Sequence, residues 1–141
     1  MNRLADEIGM TKAYFLNASG LDVSSTESGA YASARDIAKL FTYAASSSLH
    51  VLSATTENGV LLSHDGGDTT AATNTNEALG DIPGLIMGKT GYTDLAGGNL
   101  AVVYGVGLAH PIVTVVLGST RDGRFEDVRK LVPASRTALT Q

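Results

Sequence analysis

Three apolar, β-branched runs near the end of the chain constrain its fold more than any other feature: "GLIMGKTGY", "NLAVVYGVGL" and "HPIVTVVLGS". Such runs bounded by turn residues read as strands. The joins between them, "TDLAGG" and "AH", are far too short for the crossover that parallel strands require. They therefore predict an antiparallel meander. In the second run Leu100, Val102, Tyr104, Val106 and Leu108 share one face, while Ala101, Val103, Gly105 and Gly107 share the other. The second set is small enough for a helix to pack closely against it.

Helical patterns flank these strands. "NRLADEIGM" places Leu4, Ala5 and Ile8 on one face, with Gly9 as a stop signal. It reads as a helix already under way, so the chain is expected to begin inside a larger domain. "NASGLD", residues 17–22, is loop chemistry. Ser33 with Asp36 three residues on forms a capping pair ahead of a helix whose stripe is Ala34, Ile37, Ala38, Phe41 and Ala45. From about 56 to 81 the chain is rich in Gly, Thr, Asn and Asp and reads as loop plus a short hairpin. A last helix is expected from about Gly123, with Phe125, Val128 and Val132 inward and Pro133 kinking or ending it. Helices, then strands, then a helix give an α+β class.

Bulk properties narrow the function. With 141 residues the chain has enough length for one real core, and 43% apolar content separates it from disordered tracts. The net charge is −4, with four lysines, six arginines and no basic stripe, so no nucleic-acid partner is expected. The absence of Cys removes disulfides, thiolate catalysis and zinc–thiolate sites. No run approaches the ~20 apolar residues of a membrane span, and "MNRLADEIGM" lacks the apolar core of a signal peptide.

The first strand carries the chemistry. "GKTGYTDLAGGNL", residues 88–100, sets Lys89 between Gly88 and Thr90 and follows with Gly91 and Tyr92. Strand alternation sends Lys89 and Thr90 to opposite faces unless the strand ends or twists there. An ammonium and a hydroxyl beside a bare backbone suit a substrate carboxylate. The Tyr92 N–H suits a carbonyl oxygen, as half of an oxyanion hole. Gly91 lets a ligand backbone lie close, and an extended peptide would add to the edge as a strand.

This stretch resembles the Lys-Thr-Gly motif of penicillin-binding proteins and serine β-lactamases. The resemblance extends along most of the chain. "MNRLADEIGMTKAYFLNASGLD", "YASARDIAKL", "NTNEAL", "GLIMGKTGYTDLAGGNL" and "VVLGSTRDGRFEDVRKL" are similar, in order, to segments of the low-molecular-weight D-alanyl-D-alanine carboxypeptidases. It implies the C-terminal part of a β-lactamase/transpeptidase-like domain, so that residues 1–141 form a single partial domain. It also implies a serine peptidase of the cell envelope, outside the cytoplasmic membrane, that acts on peptidoglycan stem peptides and is acylated by β-lactams, without metal or cofactor. Lys89 and Thr90 would bind the terminal carboxylate, Gly91 would give clearance and the Tyr92 N–H would serve the oxyanion hole. Lys89 would also polarise the serine of Ser-x-Asn.

The nucleophile is not in this sequence. The family's Ser-x-x-Lys needs a serine three residues before a lysine, and Gly9, Asp36, Ile86 and Asp127 stand there. Ser-x-Asn is absent too, because Phe15, Thr56, Ala72, Asn74 and Gly97 precede the asparagines from Asn17 on by two positions. The chain alone is thus expected to be inactive and to be part of a longer enzyme. A non-catalytic peptidoglycan- or peptide-binding module and a structural remnant are the alternatives. Both missing motifs in frame ahead of Met1 would favour the enzyme.

Other polar groups read more simply as structure. His64, Asp65 and Asp68 form a polar turn rather than a triad or metal site, and His110 lies in the tight turn before Pro111. Asn74 and Asn76 suit loop hydrogen bonds, Asp94 and Asn99 cap the "LAGG" turn, Tyr104 is core, and Ser46, Ser47 and Ser48 end a helix. The family resemblance implies further strands beside residues 111–118. Here that stretch is expected to be an open, charge-free edge, with Ile112, Thr114 and Val116 on one face and Val113, Val115 and Leu117 on the other. Self-association is expected, most simply as a two-fold dimer that pairs the 111–118 strands or swaps a terminal helix.

Overall fold

The computed structural model describes residues 1–46, 52–107 and 111–139. Of the residues singled out above, Ser47, Ser48, Leu108 and His110 lie outside this description. The chain is α+β. Helix α1 (Asn2–Glu7) is followed by the short pair β1 (Tyr14–Phe15) and β2 (Ala30–Tyr31), then α2 (Ala34–Ser46), the hairpin β3 (Gly59–Ser63) and β4 (Thr69–Thr73), the strands β5 (Leu85–Thr93), β6 (Gly97–Gly105) and β7 (Pro111–Ser119), and α3 (Gly123–Leu139). One-turn 3₁₀ helices occupy Ser53–Thr56 and Leu79–Asp81.

The meander forms as its joins require. The sheet order is β5-β6-β7, antiparallel throughout. Both faces of β6 are covered. Leu100, Val102 and Tyr104 pack with Val116, Ala78 and Ile82 against Phe125, Val128 and Val132 of α3. On the reverse, Ala101 and Val103 join Met87 and meet Phe41 of α2. The small-residue face of the second run thus accepts a helix. At the β5–β6 turn close packing leaves room for glycine only, because a Cβ on Gly98 would stand 2.0 Å from the Thr120 carbonyl oxygen.

The helix signals resolve to particular groups. The Ser33 Oγ accepts from the Asp36 N–H, and the Asp36 carboxylate accepts from the Ser33 N–H and hydroxyl, a reciprocal cap for α2. Gly9, at φ 78°, ends the first helical segment, and its carbonyl accepts from Lys39 Nζ. Three details differ from the sequence pattern. Leu4 and Ala34 are exposed, leaving Ala5 and Phe41 as the buried anchors of their helices. Helix α3 does not end at Pro133 but runs on to Leu139. Pro133 lies on the exposed side, where the carbonyl it deprives of a partner can turn to water. The faces of β7 are also less wet than expected, for Ile112 packs on the α3 side and Val113 and Val115 on the α2 side.

Candidate functional site

Strand β5 is an edge strand, and its Lys-Thr-Gly segment runs along the free side. Lys89 pairs with Ala101 and Thr90 with Leu100. Directly paired residues share a face, so Lys89 projects toward the α2 side and Thr90 toward the α3 side, opposite as alternation demands. Lys89 is exposed and Thr90 is buried. A ligand that meets both must therefore lie along the edge rather than on either face.

The edge is covered at one end and open at the other. The Gly88 N–H donates to Thr55 Oγ1 at 2.9 Å, away from β6 and toward the 3₁₀ turn at Ser53–Thr56. Backbone groups alternate sides along an antiparallel strand. The N–H and C=O of Thr90 and of Tyr92 thus face the same free side as Gly88. Lys89 Nζ donates to the Thr90 carbonyl at 2.5 Å, which holds the ammonium at that edge. By the same alternation the Gly91 carbonyl lies on the opposite side, and there it accepts from Arg124 Nη1 at 2.6 Å. At Gly91 a Cβ would meet only Asn99 Cβ, at 3.8 Å, so the glycine leaves open space.

Neighbouring elements shape two clefts around this strand. One, of about 230 Å³, is lined by Thr55, Asn74, Thr75, Gly88, Lys89 and Thr90. In it the Thr75 and Thr90 hydroxyls hydrogen-bond at 2.5 Å. Asn74 fixes the wall by donating to the carbonyls of Thr55 and Glu57 and accepting from the Asn76 N–H. The other cleft, of about 530 Å³, lies beyond Gly91 and includes Ser28, Tyr31, Tyr92, Thr93 and Leu117. Its floor is tied to the N-terminal segment by Asp22, which accepts from the Thr93 hydroxyl and the Leu95 N–H. The Tyr92 ring lies under the Arg121 guanidinium at 4.3 Å.

Sequence reasoning singled out Lys89, Thr90, Gly91 and Tyr92, and the strand carries all four along one stretch. It missed Thr55, Thr75 and Arg124. Thr75 sits inside "NTNEAL" and Arg124 inside "GRFED", but only the fold brings them to β5. The asparagines are scaffold: Asn76 Oδ1 accepts from the Ala78 N–H, while Asn99 donates to the Ala96 and Gly97 carbonyls and accepts from the Gly118 N–H. Tyr104 is fully buried and its hydroxyl meets those of Thr114 and Ser135. His64 is an exposed hairpin residue whose Nε2 pairs with the Thr70 hydroxyl. Among the described residues no three His, Cys, Asp or Glu side chains are grouped to hold a metal, and no helix is long and apolar enough to cross a membrane.

This α+β arrangement superposes on solved penicillin-binding proteins. Penicillin-binding protein D2 of Listeria monocytogenes, in its ampicillin-bound form, superposes with a TM-score of 0.77 at 32% identity, over 92% of this chain and 51% of its own. A D-alanyl-D-alanine carboxypeptidase of Mycobacterium tuberculosis gives 0.68 at 29%, over 82% of this chain and 42% of its own. A penicillin-binding protein homologue from the same organism gives 0.69 at 25%, over 89% and 50%. The chain thus spans about half the length of the structures it matches. No curated protein sequence matches it. The family model described as D-alanyl-D-alanine carboxypeptidase matches residues 1–121, and the chain belongs to that family of serine peptidases.

Proposed function

We propose that this chain supplies the substrate-binding strand of a serine D-Ala-D-Ala carboxypeptidase that acts on peptidoglycan stem peptides in the bacterial envelope and is acylated by β-lactams. Residues 1–141 then form the C-terminal part of its catalytic domain. The observation that carries this reading is the edge of β5, closed by Thr55 at Gly88 and open at Thr90 and Tyr92 beside the Lys89 ammonium. A stem peptide laid along that edge would place its terminal carboxylate at Lys89 and Thr90. For Thr90 this requires its hydroxyl to leave Thr75 or to share it. The carbonyl under attack would accept from the Tyr92 N–H, whose donation strengthens as negative charge develops on the oxygen. The attacking serine and its lysine are not among these residues. Base-assisted attack and release of the acyl group by water therefore need the remainder of the enzyme.

The test has two arms. Labelled penicillin incubated with the purified 141-residue chain is expected to give no covalent adduct, and stoichiometric labelling would overturn the assignment of the nucleophile. N-acetyl-D-alanyl-D-alanine titrated into the isotopically labelled chain is expected to move the amide resonances of Thr90 and Tyr92. A binding module without catalysis would show the same titration, but no acylation even when joined to the missing motifs.

The bare side of β7 supports a second element of the proposal, self-association. Among the described residues β7 has β6 as its sole strand partner, and the strand carries no charge. With both faces covered by helices, the driving contact is the backbone edge together with exposed Leu117.

A further inference from the structure

Arg124 is a buried cation without an anion. Its relative exposure is 8%, and among the described residues it makes no ion pair, whereas Arg3 and Arg129 do. Its Nε is buried with no hydrogen-bond partner, and the guanidinium carbon lies 4.6 Å from the centroid of the Phe125 ring, itself in the core. A desolvated guanidinium normally recovers its cost from a carboxylate. Among the described residues its one hydrogen bond is the 2.6 Å contact from Nη1 to the Gly91 carbonyl.

That carbonyl belongs to the same peptide unit as the Tyr92 N–H. No peptide among the described residues is cis, so C=O and N–H point in opposite directions. One end of the unit is held by Arg124, and the other faces the free edge of β5. A charge-assisted hydrogen bond to an amide oxygen draws electron density toward that oxygen and makes the N–H a stronger donor. It also fixes the peptide plane before any ligand arrives, which is the preorganisation an oxyanion donor needs.

We propose that Arg124 is a positioning residue that orients and polarises the Gly91–Tyr92 amide for oxyanion binding. The proposal rests on the reading of the Tyr92 N–H as an oxyanion donor. It assigns the guanidinium a role beyond fastening α3 to β5, since fastening needs shape and a donor while polarisation needs charge.

Nuclear magnetic resonance on the complete 141-residue chain separates the possibilities. Arg124→Gln keeps a donor and loses the charge, while Arg124→Lys keeps both. The expected result in the ligand-free chain is an upfield shift of the Gly91 carbonyl carbon and the Tyr92 amide nitrogen in Arg124→Gln, largely restored in Arg124→Lys. With N-acetyl-D-alanyl-D-alanine as probe, the response of Tyr92 should fall in Arg124→Gln while that of Thr90 persists. A well-dispersed Arg124→Gln spectrum with both resonances unmoved overturns the proposal. A parent chain in which the probe moves neither Thr90 nor Tyr92 defeats the oxyanion reading instead, and the ligand-free shifts still decide whether Arg124 polarises the amide. Should Arg124→Gln not fold, the parent chain decides. Slowly exchanging Arg124 Hη protons with coupling across the hydrogen bond to the Gly91 carbonyl carbon are expected, and their absence refutes the assignment.

Discussion

The three-stranded sheet has two edges, and the sequence treats them in opposite ways. The β5 edge is interrupted: Gly88 and Gly91 bracket Lys89 and Thr90, Thr55 covers the strand at one point, and clefts lie on either side of the open part. The β7 edge is β-branched from Ile112 to Val116 and carries no charge from Pro111 to Ser119, its register with β6 shifting only near its end, where Gly118 takes a positive φ. Glycine and a lysine on an edge discourage pairing with another strand while leaving room for a small extended ligand. A β-branched strand without charge invites a strand. On the proposed reading the same bare backbone would serve two kinds of partner, and the side chains beside it would decide which.

Lys89 gives the largest expected separation between the edges. In the complete enzyme Lys89→Ala should cost about 2–4 kcal/mol of transition-state stabilisation, the scale of one lost electrostatic contact. Because Lys89 is exposed and makes no ion pair among the described residues, the substitution should leave the unfolding midpoint of the 141-residue chain nearly unchanged. Acylation by labelled penicillin at the parent rate would remove Lys89 from the site and erase the distinction between the edges.

The next effect belongs to the β7 side. Tyr104→Phe removes a hydroxyl shared with Thr114 and Ser135 in the core. Thr114 is itself buried, so about 1–3 kcal/mol of stability should be lost as its hydroxyl goes unpartnered. Urea unfolding measures this. A neutral outcome would mean that Thr114 finds another acceptor and that β7 is not anchored from below.

The meander and the reciprocal cap of α2 are legible because their signals are local: β-branched runs with short joins, and a serine three residues before an aspartate. The class and the stripe of α3 follow from periodicity, and so does that of α2 apart from the exposed Ala34. Thr75, Thr55 and Arg124 were not legible at the site because their contacts with β5 span 15, 33 and 33 residues of chain. No local pattern encodes such contacts. Pro133, expected to kink or end its helix, does not end it. Its rule concerns hydrogen bonding within the helix, and the outcome was set by which side of α3 faces water.

A smaller effect tests the β7 edge itself. Leu117→Lys places a charge beside the bare backbone, and two-fold pairing of 111–118 would set each charge against the apolar Ile112 end of the other copy. The dimer should weaken by about 1 kcal/mol, or roughly fivefold in Kd. Sedimentation of parent and variant at micromolar concentration reads the difference. If the parent chain is strictly monomeric, with the amides of Val113, Val115 and Leu117 exchanging like a loop, the edge is not a pairing surface at all.

The smallest effect concerns α2, the helix that packs chiefly on β7 and β6 and meets β5 through Met87. The Asp36 carboxyl is held below its ordinary value, first by the Ser33 hydroxyl, then by the backbone N–H groups of Ser33 and Lys12 and the charge of Lys39, with burial opposing them. A group whose value is lower in the folded chain binds its proton more readily when unfolded. Its contribution is therefore present above the unfolded carboxylate value and is lost as the pH falls through the folded one. Acid should loosen the cap of α2, whose Phe41 packs with Val113 and Val115. Amide exchange of Thr114 and Val116, whose N–H groups face β6, corrected for intrinsic rates, should rise toward low pH, while Gly88, fastened by the uncharged Thr55 hydroxyl, should not follow. In Asp36→Asn the acid dependence at Thr114 should flatten. Equal acid sensitivity at Gly88 and Thr114 would show that α2 stabilises the sheet as a whole, and that the two edges differ in chemistry but not in support.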